Sequence, residues 1–400
     1  MTSNTILTPD MITREALRIL HQKLTFVGSI NRQYDSSFAQ SGAKIGDTLR
    51  IRLPNQYTVR TGATIGVQNT TETKVDLAVS TQKGVDMNFT SAELTLDLDD
   101  FSRRILEPAM AVLASNIEAD ALGTMYKDVY NTVNNVSSAI TYANILAGRR
   151  KLQDNLTPDG DRTALLTSND MANLVSAFST LFNAAPEISR QYREGMVGKA
   201  AGFDFMETSH LTNFQNGARV ATTYLTNSGT AQTGSSLIVD TGTGAMVPGD
   251  VFTIADVYAV HPETKVSTGI LQQFVVTAAF GGGGGTISIS PEIIASGARQ
   301  NVSNGAANDK ALTFVGAAST TYGQSMVYHK DAFTFATADL VMPKGVDFAA
   351  REVYDGISIR VVRQYDINND AFPCRLDVLY GYKTIRAQLA ARIAALSPTS

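Results

Sequence analysis

The run Leu271-Gln-Gln-Phe-Val-Val-Thr-Ala-Ala-Phe-Gly-Gly-Gly-Gly-Gly-Thr-Ile-Ser-Ile-Ser290 decides how the chain is read. Leu271–Thr277 and Thr286–Ser290 have strand character, and five consecutive glycines, Gly281–Gly285, stand between them. A phosphate cradle would aim its N–H groups at a helix start and would usually carry a lysine. These glycines lead into a strand instead. They read as a flexible loop between two neighbouring strands.

The same character extends outward over residues 225–320. This stretch carries nine charged residues, about half the density of the whole chain, and fourteen of the chain's 31 glycines. Further strand runs fall at Ser236–Val239, Val251–Ala255 and Leu312–Val315, and helical patterning is absent throughout. The pattern predicts an all-β barrel inserted as a unit, with bounds at 223–320.

The flanks are mixed. Helices are expected near 142–155, 168–182 and 186–195, with short strands at Ala164–Thr167 and Phe203–Glu207. After the barrel come strands at Met326–Tyr328, Phe333–Phe335, Ile357–Tyr365 and Leu376–Tyr380. Thr384–Leu396 is helix-like in pattern, with a strand and a frayed tail as the alternative. Neither flank has enough strands for a sheet of its own, so the two must share sheets and the domains are discontinuous.

Toward the N-terminus, residues 8–24 read as an amphipathic helix. Thr8 caps it, Pro9 suits its first turn, and Asp10 favours the positive end of the dipole. Ile12, Ala16, Ile19, Leu20 and Leu24 form its apolar face. A short terminal helix has little of its own to pack on and is expected to dock on another surface. Residues 42–90 read as a long projecting hairpin, with alternation over Thr48–Leu53, Val75–Val79 and Val85–Phe89. The tip, Arg60–Thr73, is rich in Gly, Thr and Asn. Residues 97–133 read as the strongest helix, with Asp97, Asp99 and Asp100 at its start and Pro108 in a first turn. Met110, Leu113, Ile117, Ala121, Met125 and Val129 make its apolar stripe.

Composition limits the function. The 400 residues are 44% hydrophobic and 18% charged, as in ordinary globular proteins. A net charge of -4 excludes a chain-wide basic footprint for nucleic acid. One cysteine, Cys374, cannot form an internal disulfide, which fits folding in a reducing cytosol. There is no secretory leader pattern and no run long enough for a membrane helix, so a soluble chain, intracellular at synthesis, is expected. The basic cluster Arg149, Arg150 and Lys151 reads as a solvated helix face.

Catalytic signatures are missing. There is no Walker A run, no H-E-x-x-H and no G-x-S-x-G. His21, His210, His261 and His329 lie at no metal-ligand spacing, and Cys374 has no cysteine partner. Catalysis requires a converging set of titratable groups, and none is visible here. No catalytic residue, cofactor or metal is therefore assigned.

Several stretches carry a family resemblance. They are Gly249-Asp-Val-Phe-Thr-Ile-Ala-Asp-Val-Tyr-Ala-Val-His-Pro-Glu-Thr-Lys265, Thr268-Gly-Ile-Leu-Gln-Gln-Phe-Val-Val-Thr277 and Val327-Tyr-His-Lys-Asp-Ala-Phe333. Ser358-Ile-Arg-Val-Val-Arg-Gln-Tyr-Asp366, Arg375-Leu-Asp-Val-Leu-Tyr-Gly381 and Val197-Gly-Lys-Ala-Ala-Gly-Phe-Asp204 complete the set. In segment order along essentially the whole chain, the sequence resembles the coat proteins of P22-like tailed bacteriophages, which have the HK97 capsid fold. The resemblance implies an α+β chain with an N-terminal arm (1–32) and an E-loop hairpin (33–90). It further implies a peripheral domain with a spine helix (91–145 with 340–372), an axial domain (146–222 with 321–339 and 373–400) and the inserted barrel.

The function it implies is a major capsid protein that forms hexamers and pentamers of itself and closes an icosahedral shell. Its partners would be a scaffolding protein, a portal protein, packaged double-stranded DNA bound without sequence preference, and a decoration protein on some shells. Assembly would take place in the host cytoplasm, with no membrane partner. Arg50, Arg52, Arg60, Asp76 and Asp86 are then candidates for contacts between subunits, and Asp10, Arg14, Glu15 and Arg18 for contact with scaffold or a neighbour. Some HK97-fold shells cross-link a lysine to an asparagine beside a glutamate. Lys74 or Lys83, Asn368 or Asn369, and Glu352 are the candidates here, although P22-like relatives are not expected to do this. Two other readings stay open. One is a compartment shell of the same fold around protein cargo, against which the His261–Lys265 segment argues. The other is a hydrolase or carbohydrate-active enzyme with a β-barrel module, which would need two carboxylates in one cleft.

Overall fold

A computed structural model describes residues 9–35, 48–69, 72–90, 106–178, 198–219, 223–354, 356–368 and 371–396. The helices are α1 (Pro9–Lys23), α2 (Phe26–Ser29), α3 (Glu107–Met125), α4 (Tyr142–Asp154) and α5 (Ser168–Phe178). The first strands are β1 (Asn31–Asp35), β2 (Thr48–Arg52), β3 (Lys74–Ala78), β4 (Thr81–Thr90), β5 (Thr132–Asn135), β6 (Arg162–Thr167), β7 (Lys199–Ala200), β8 (Phe203–Thr208) and β9 (Phe214–Gln215). Then come β10 (Leu225–Thr226), β11 (Gly234–Asp240), β12 (Val251–Val260), β13 (Ser267–Val276), β14 (Gly285–Ile293) and β15 (Leu312–Phe314). The last are β16 (Thr321–His329), β17 (Phe333–Ala338), β18 (Phe348–Tyr354), β19 (Ile357–Arg363), β20 (Ala371–Thr384) and β21 (Ala390–Ala395). The chain divides into two units, each assembled from three separate segments.

The first unit comprises Met1–Ile51, Lys74–Leu122 and Phe333–Ile385. Its sheet runs β1-β17-β20-β19-β18, with β4 also on β20. The long β20 pairs with β4 over Ala371–Tyr380 along one edge, and β19 and β17 share the other. Leucines and isoleucines at helical spacing give α1 an apolar face, and Ala16, Leu17, Ile19, Leu20 and Leu24 are buried where it packs on β18 and β19. The surface on which this helix docks thus lies within its own chain. Phe26 meets Phe333 edge to face at 5.6 Å, and Met110, Leu113 and Ile117 of α3 are also buried.

The second unit comprises Arg52–Thr73, Gly123–Ala332 and Arg386–Ser400. Its seven-stranded sheet runs β5-β21-β16-β6-β8-β7, with β9 also on β16. Ile145 and Leu152 of α4 cover one face, on Val327, Ile393, Ala164 and Phe205. The remaining six strands are ordered β10-β11-β14-β13-β12-β15. This sheet closes on itself, because Leu225 bridges Ala311 and the Leu312 N–H donates to Tyr224 O at 2.9 Å. Leu237, Phe252, Phe274, Ile287 and Ile289 fill its interior. Gly281–Gly285 joins β13 to β14. Gly282 has φ +101°, and a Cβ there would lie 2.8 Å from the Gly244 carbonyl, so only glycine fits.

Three expectations need correction. Val85–Phe89 belongs to β4, which pairs with β20 over ten residues, so the hairpin is confined to β2 and β3. Helix α3 ends at Met125. Tyr126–Asp128 is a 3-10 turn, and Thr132–Asn135, rich in β-branched residues, pairs with β21. Ala390–Ala395 is a fully buried strand after a short 3-10 turn, not a helix. Thr8, Asp97, Asp99, Asp100 and the helix expected at 186–195 lie outside the described residues.

Candidate functional site

The hairpin has a packed base and an uncovered tip. At the base, Leu49 and Ile51 of β2 pack with Leu77 and Val79 against Ala336, Ala338 and Leu379. Beyond Arg52 the two arms are held by few bonds. Leu53 N–H donates to Thr73 O at 2.9 Å, and Arg52 lies 3.1 Å from Glu72. The Gln68 amide both accepts from Thr58 N–H (2.8 Å) and donates to Thr58 O (2.5 Å). Between these ties Tyr57 is 58% exposed, Val59 95%, Ile65 80% and Val67 83%. A group of apolar side chains so open to water marks a surface that gains by being covered.

The structure gives most of the predicted charges partners within the chain. Arg52 pairs with Glu72, Asp76 lies 3.8 Å from Lys74, and Arg60 donates to Gly62 O. Asp86 on β4 takes Arg375 of β20 in a bidentate pair at 2.7 and 2.9 Å, and this holds its carboxyl below the usual carboxylate range. Arg50 is exposed on β2. On α1, Arg14 reaches Glu352 at 3.2 Å, and Arg18 binds Glu15 at 2.6 Å and Gln22 at 2.9 Å. Asp10 starts the helix, and its side chain lies outside the described residues. These pairs are solvent-exposed and each is worth little, so a partner surface could displace them.

The described residues named for a cross-link have other partners or face solvent. Lys83 is bound to Asp120 at 2.6 Å, Glu352 is taken by Arg14, and Asn368 is exposed in a turn. Asn369 lies outside the described residues. Cys374 is buried, and burial pushes its thiol up to about 11. Among the described residues no group of three or more His, Cys, Asp or Glu is arranged to hold a metal ion. No described helix is long and apolar enough to cross a membrane.

The sequence reading missed the buried polar groups. Glu118 on α3 is buried and accepts from Phe26 N–H (3.0 Å) and Val27 N–H (2.9 Å). Its only sequence signal is a carboxylate next to the apolar stripe. In the second unit, Arg219 lies 2.9 Å from the buried Asp250, close enough for full Coulombic attraction though off the line of a hydrogen bond. Arg392 is fully buried and donates to Gly249 O at 2.9 Å. Lys151 is not part of the solvated face that its sequence context suggests. It is largely buried, donates to Gln273 Oε1 at 2.8 Å, and is pushed down to about 8 by burial.

Comparison with known proteins follows the same lines. The family described as "P22 coat protein - gene protein 5" matches residues 11–391. No curated protein matches the chain. Among solved structures, one from Mycobacterium phage Che8 is 13% identical, covering 92% of this chain and 90% of that one with a TM-score of 0.46. The mature capsid of bacteriophage PhiM1 is 12% identical, covering 94% and 88%, with a TM-score of 0.46. A virus-like particle from Pyrococcus furiosus is 8% identical, covering 96% and 98%, with a TM-score of 0.35. Since the family match leaves out only the ends of the sequence, the chain belongs to the P22 coat protein family.

Proposed function

We propose that this chain is the major capsid protein of a tailed double-stranded DNA bacteriophage, and that hexamers and pentamers of it close an icosahedral shell round the genome. The family match supports the coat-protein role. The observation that carries assembly is the hairpin tip, where Tyr57, Val59, Ile65 and Val67 are exposed to water. Two strands alone are marginal in water, and a second copy lying against them would cover the apolar side chains. In this reading β2 and β3 with their connection are the E-loop and α3 is the spine helix of an HK97-type fold. The closed sheet of β10–β15 is the inserted barrel. A scaffolding protein, a portal, packaged DNA and, on some shells, a decoration protein are the corresponding partners, and the host cytoplasm is the place of assembly.

The test is light scattering with negative-stain microscopy on the full chain, alone and co-expressed with a scaffolding protein. Closed or aberrant shells that become regular with the partner are expected. Val59→Asp with Val67→Asp should leave the far-ultraviolet spectrum and the thermal midpoint within about 1 °C, since surface changes away from packed features fall within about 0.5 kcal/mol. The same pair should prevent shells. A small oligomer under every condition would overturn the reading, and shell formation by the double variant would remove the tip from it.

A further inference from the structure

The turn that links α1 to β1 has no cap of its own. Thr25 precedes α2 without any side-chain hydrogen bond to it. Its donors are taken from 92 residues away, where the Glu118 carboxylate accepts from Phe26 N–H and Val27 N–H, with Thr25 N–H contributing as well. Glu118 is buried at the middle of α3, as are Phe26, Val27 and Ile30 around the turn. Two residues on, Asp120 turns to other strands, taking Lys83 at 2.6 Å and the Tyr380 hydroxyl at 2.7 Å. One stretch of helix therefore holds the arm through one carboxylate and β4 with β20 through another. An arm so placed would otherwise leave buried N–H groups unpaired, each at a substantial desolvation cost.

We propose that Glu118 is the positioning residue that clasps the N-terminal arm to the long helix, and that the clasp tightens when its carboxyl takes up a proton. Among the described residues no charged neighbour sets this behaviour. Lys23 on α1 and Glu107 on α3 pair with each other at 3.7 Å, Asp120 is engaged as above, and β17 presents Phe333 to the turn. Burial pushes the clasped carboxyl up to about 7 from an ordinary 4.5, with the three N–H groups opposing the rise. A released, hydrated carboxyl returns to its ordinary value. The clasped state therefore binds more protons between these limits, so the clasp is strongest at about pH 4.5 and weakens up to about pH 7, by roughly 300-fold at most. Above that it is weak but constant.

Hydrogen–deuterium exchange of the Phe26 and Val27 amides in the full chain, from pH 5 to 8, tests this without reference to assembly. Protection in the native protein, corrected for the intrinsic rate, should fall by up to about 70-fold across the range. Glu118→Gln keeps an acceptor and has no proton to exchange, so it should hold protection level with pH. Glu118→Ala should lose protection at least 10-fold at pH 5, while the amides of β19 and β20 stay protected. Unchanged protection of Phe26 and Val27 in Glu118→Ala would overturn the clasp. A Glu118→Gln profile that keeps the native pH slope would overturn the proton's role, and this comparison stands even if the alanine variant does not fold.

Discussion

Gly84 shows how much one residue can fix in a sheet. It faces Asp377 in the register between β4 and β20, and a Cβ there would lie 2.3 Å from Asp377 Oδ1 and 2.5 Å from Leu376 O. The second contact is with backbone, so a substituent cannot be accommodated by turning a side chain. Asp377 is itself held by Arg360 at 2.6 Å across β19, with both side chains largely buried. Gly84→Ala must therefore part the two strands or pull Asp377 off its arginine. The expected loss is about 1–3 kcal/mol from overpacking, read as a lower urea midpoint at unchanged m-value, with Gly66→Ala in the exposed tip as a control, since a Cβ there meets nothing and the backbone is not in the left-handed region. Equal effects at the two positions would remove the steric argument.

At the scale of elements, the closed sheet is fastened to its neighbour by side chains that imitate backbone. Gln273 of β13 accepts from Thr132 N–H at 2.8 Å and donates to Thr132 O at 3.0 Å, so one amide stands in for a strand partner at β5. Lys151 of α4 also donates to Gln273 Oε1, and nearby Tyr130, Val251, Val275 and Val315 form an apolar seam. Because burial holds Lys151 at about 8 while the unfolded side chain stays near 10.5, the unfolded state binds more protons between these values. Stability contributed by this site should then rise with pH from about 8 to 10.5. Lys151→Met should remove that rise, as seen in denaturation midpoints at pH 8 and 10, and an unchanged slope would refute the assignment. None of these links was legible in the sequence. Alternation identified the strands around them, including Val251–Ala255 and Leu271–Thr277, because a half-buried strand repeats every two residues. It could not say which strand Val85–Phe89 would pair with, since pairing is decided by surfaces distant in sequence. The alanines of β21 misled for another reason. Alanine favours a helix, but at the centre of a sheet, against Val327 and α4, tertiary packing overrides the preference. Glu118, Lys151 and Gln273 were hidden because their partners lie 91 to 141 residues away.

At the scale of the whole chain, the sharpest contrast is between continuous and interrupted segments. Each unit is built from three separated pieces: the first unit's sheet joins strands within residues 31–90 to strands within 333–384, and the seven-stranded sheet joins strands within 132–215 to strands within 321–395. Such sheets close only after long loops have been ordered, which makes their folding slow. Residues 223–320 differ. They run without a break, surround their own core, and bring both ends together where Leu312 N–H meets Tyr224 O. This segment meets the physical requirements of an independent domain. What it loses on excision is also defined. Asp250 gives up Arg219, Gly249 O gives up Arg392, and Val251, Val275 and Val315 lose Tyr130 from their seam. A fragment of residues 223–320 should therefore fold cooperatively to an all-β spectrum, with a thermal midpoint below that of the same strands in the intact chain. Asp250→Asn should destabilise the intact chain by about 3–5 kcal/mol, because it leaves Arg219 buried without its counter-charge. In the fragment, where Arg219 is absent, the same substitution should cost far less. Circular dichroism and urea titration of the four proteins give the comparison. A fragment that stays unfolded would mean that the contacts with Arg219, Arg392 and Tyr130, not the closed sheet's own core, hold these strands together, and equal costs of Asp250→Asn in both settings would mean that the buried pair is not what those contacts contribute.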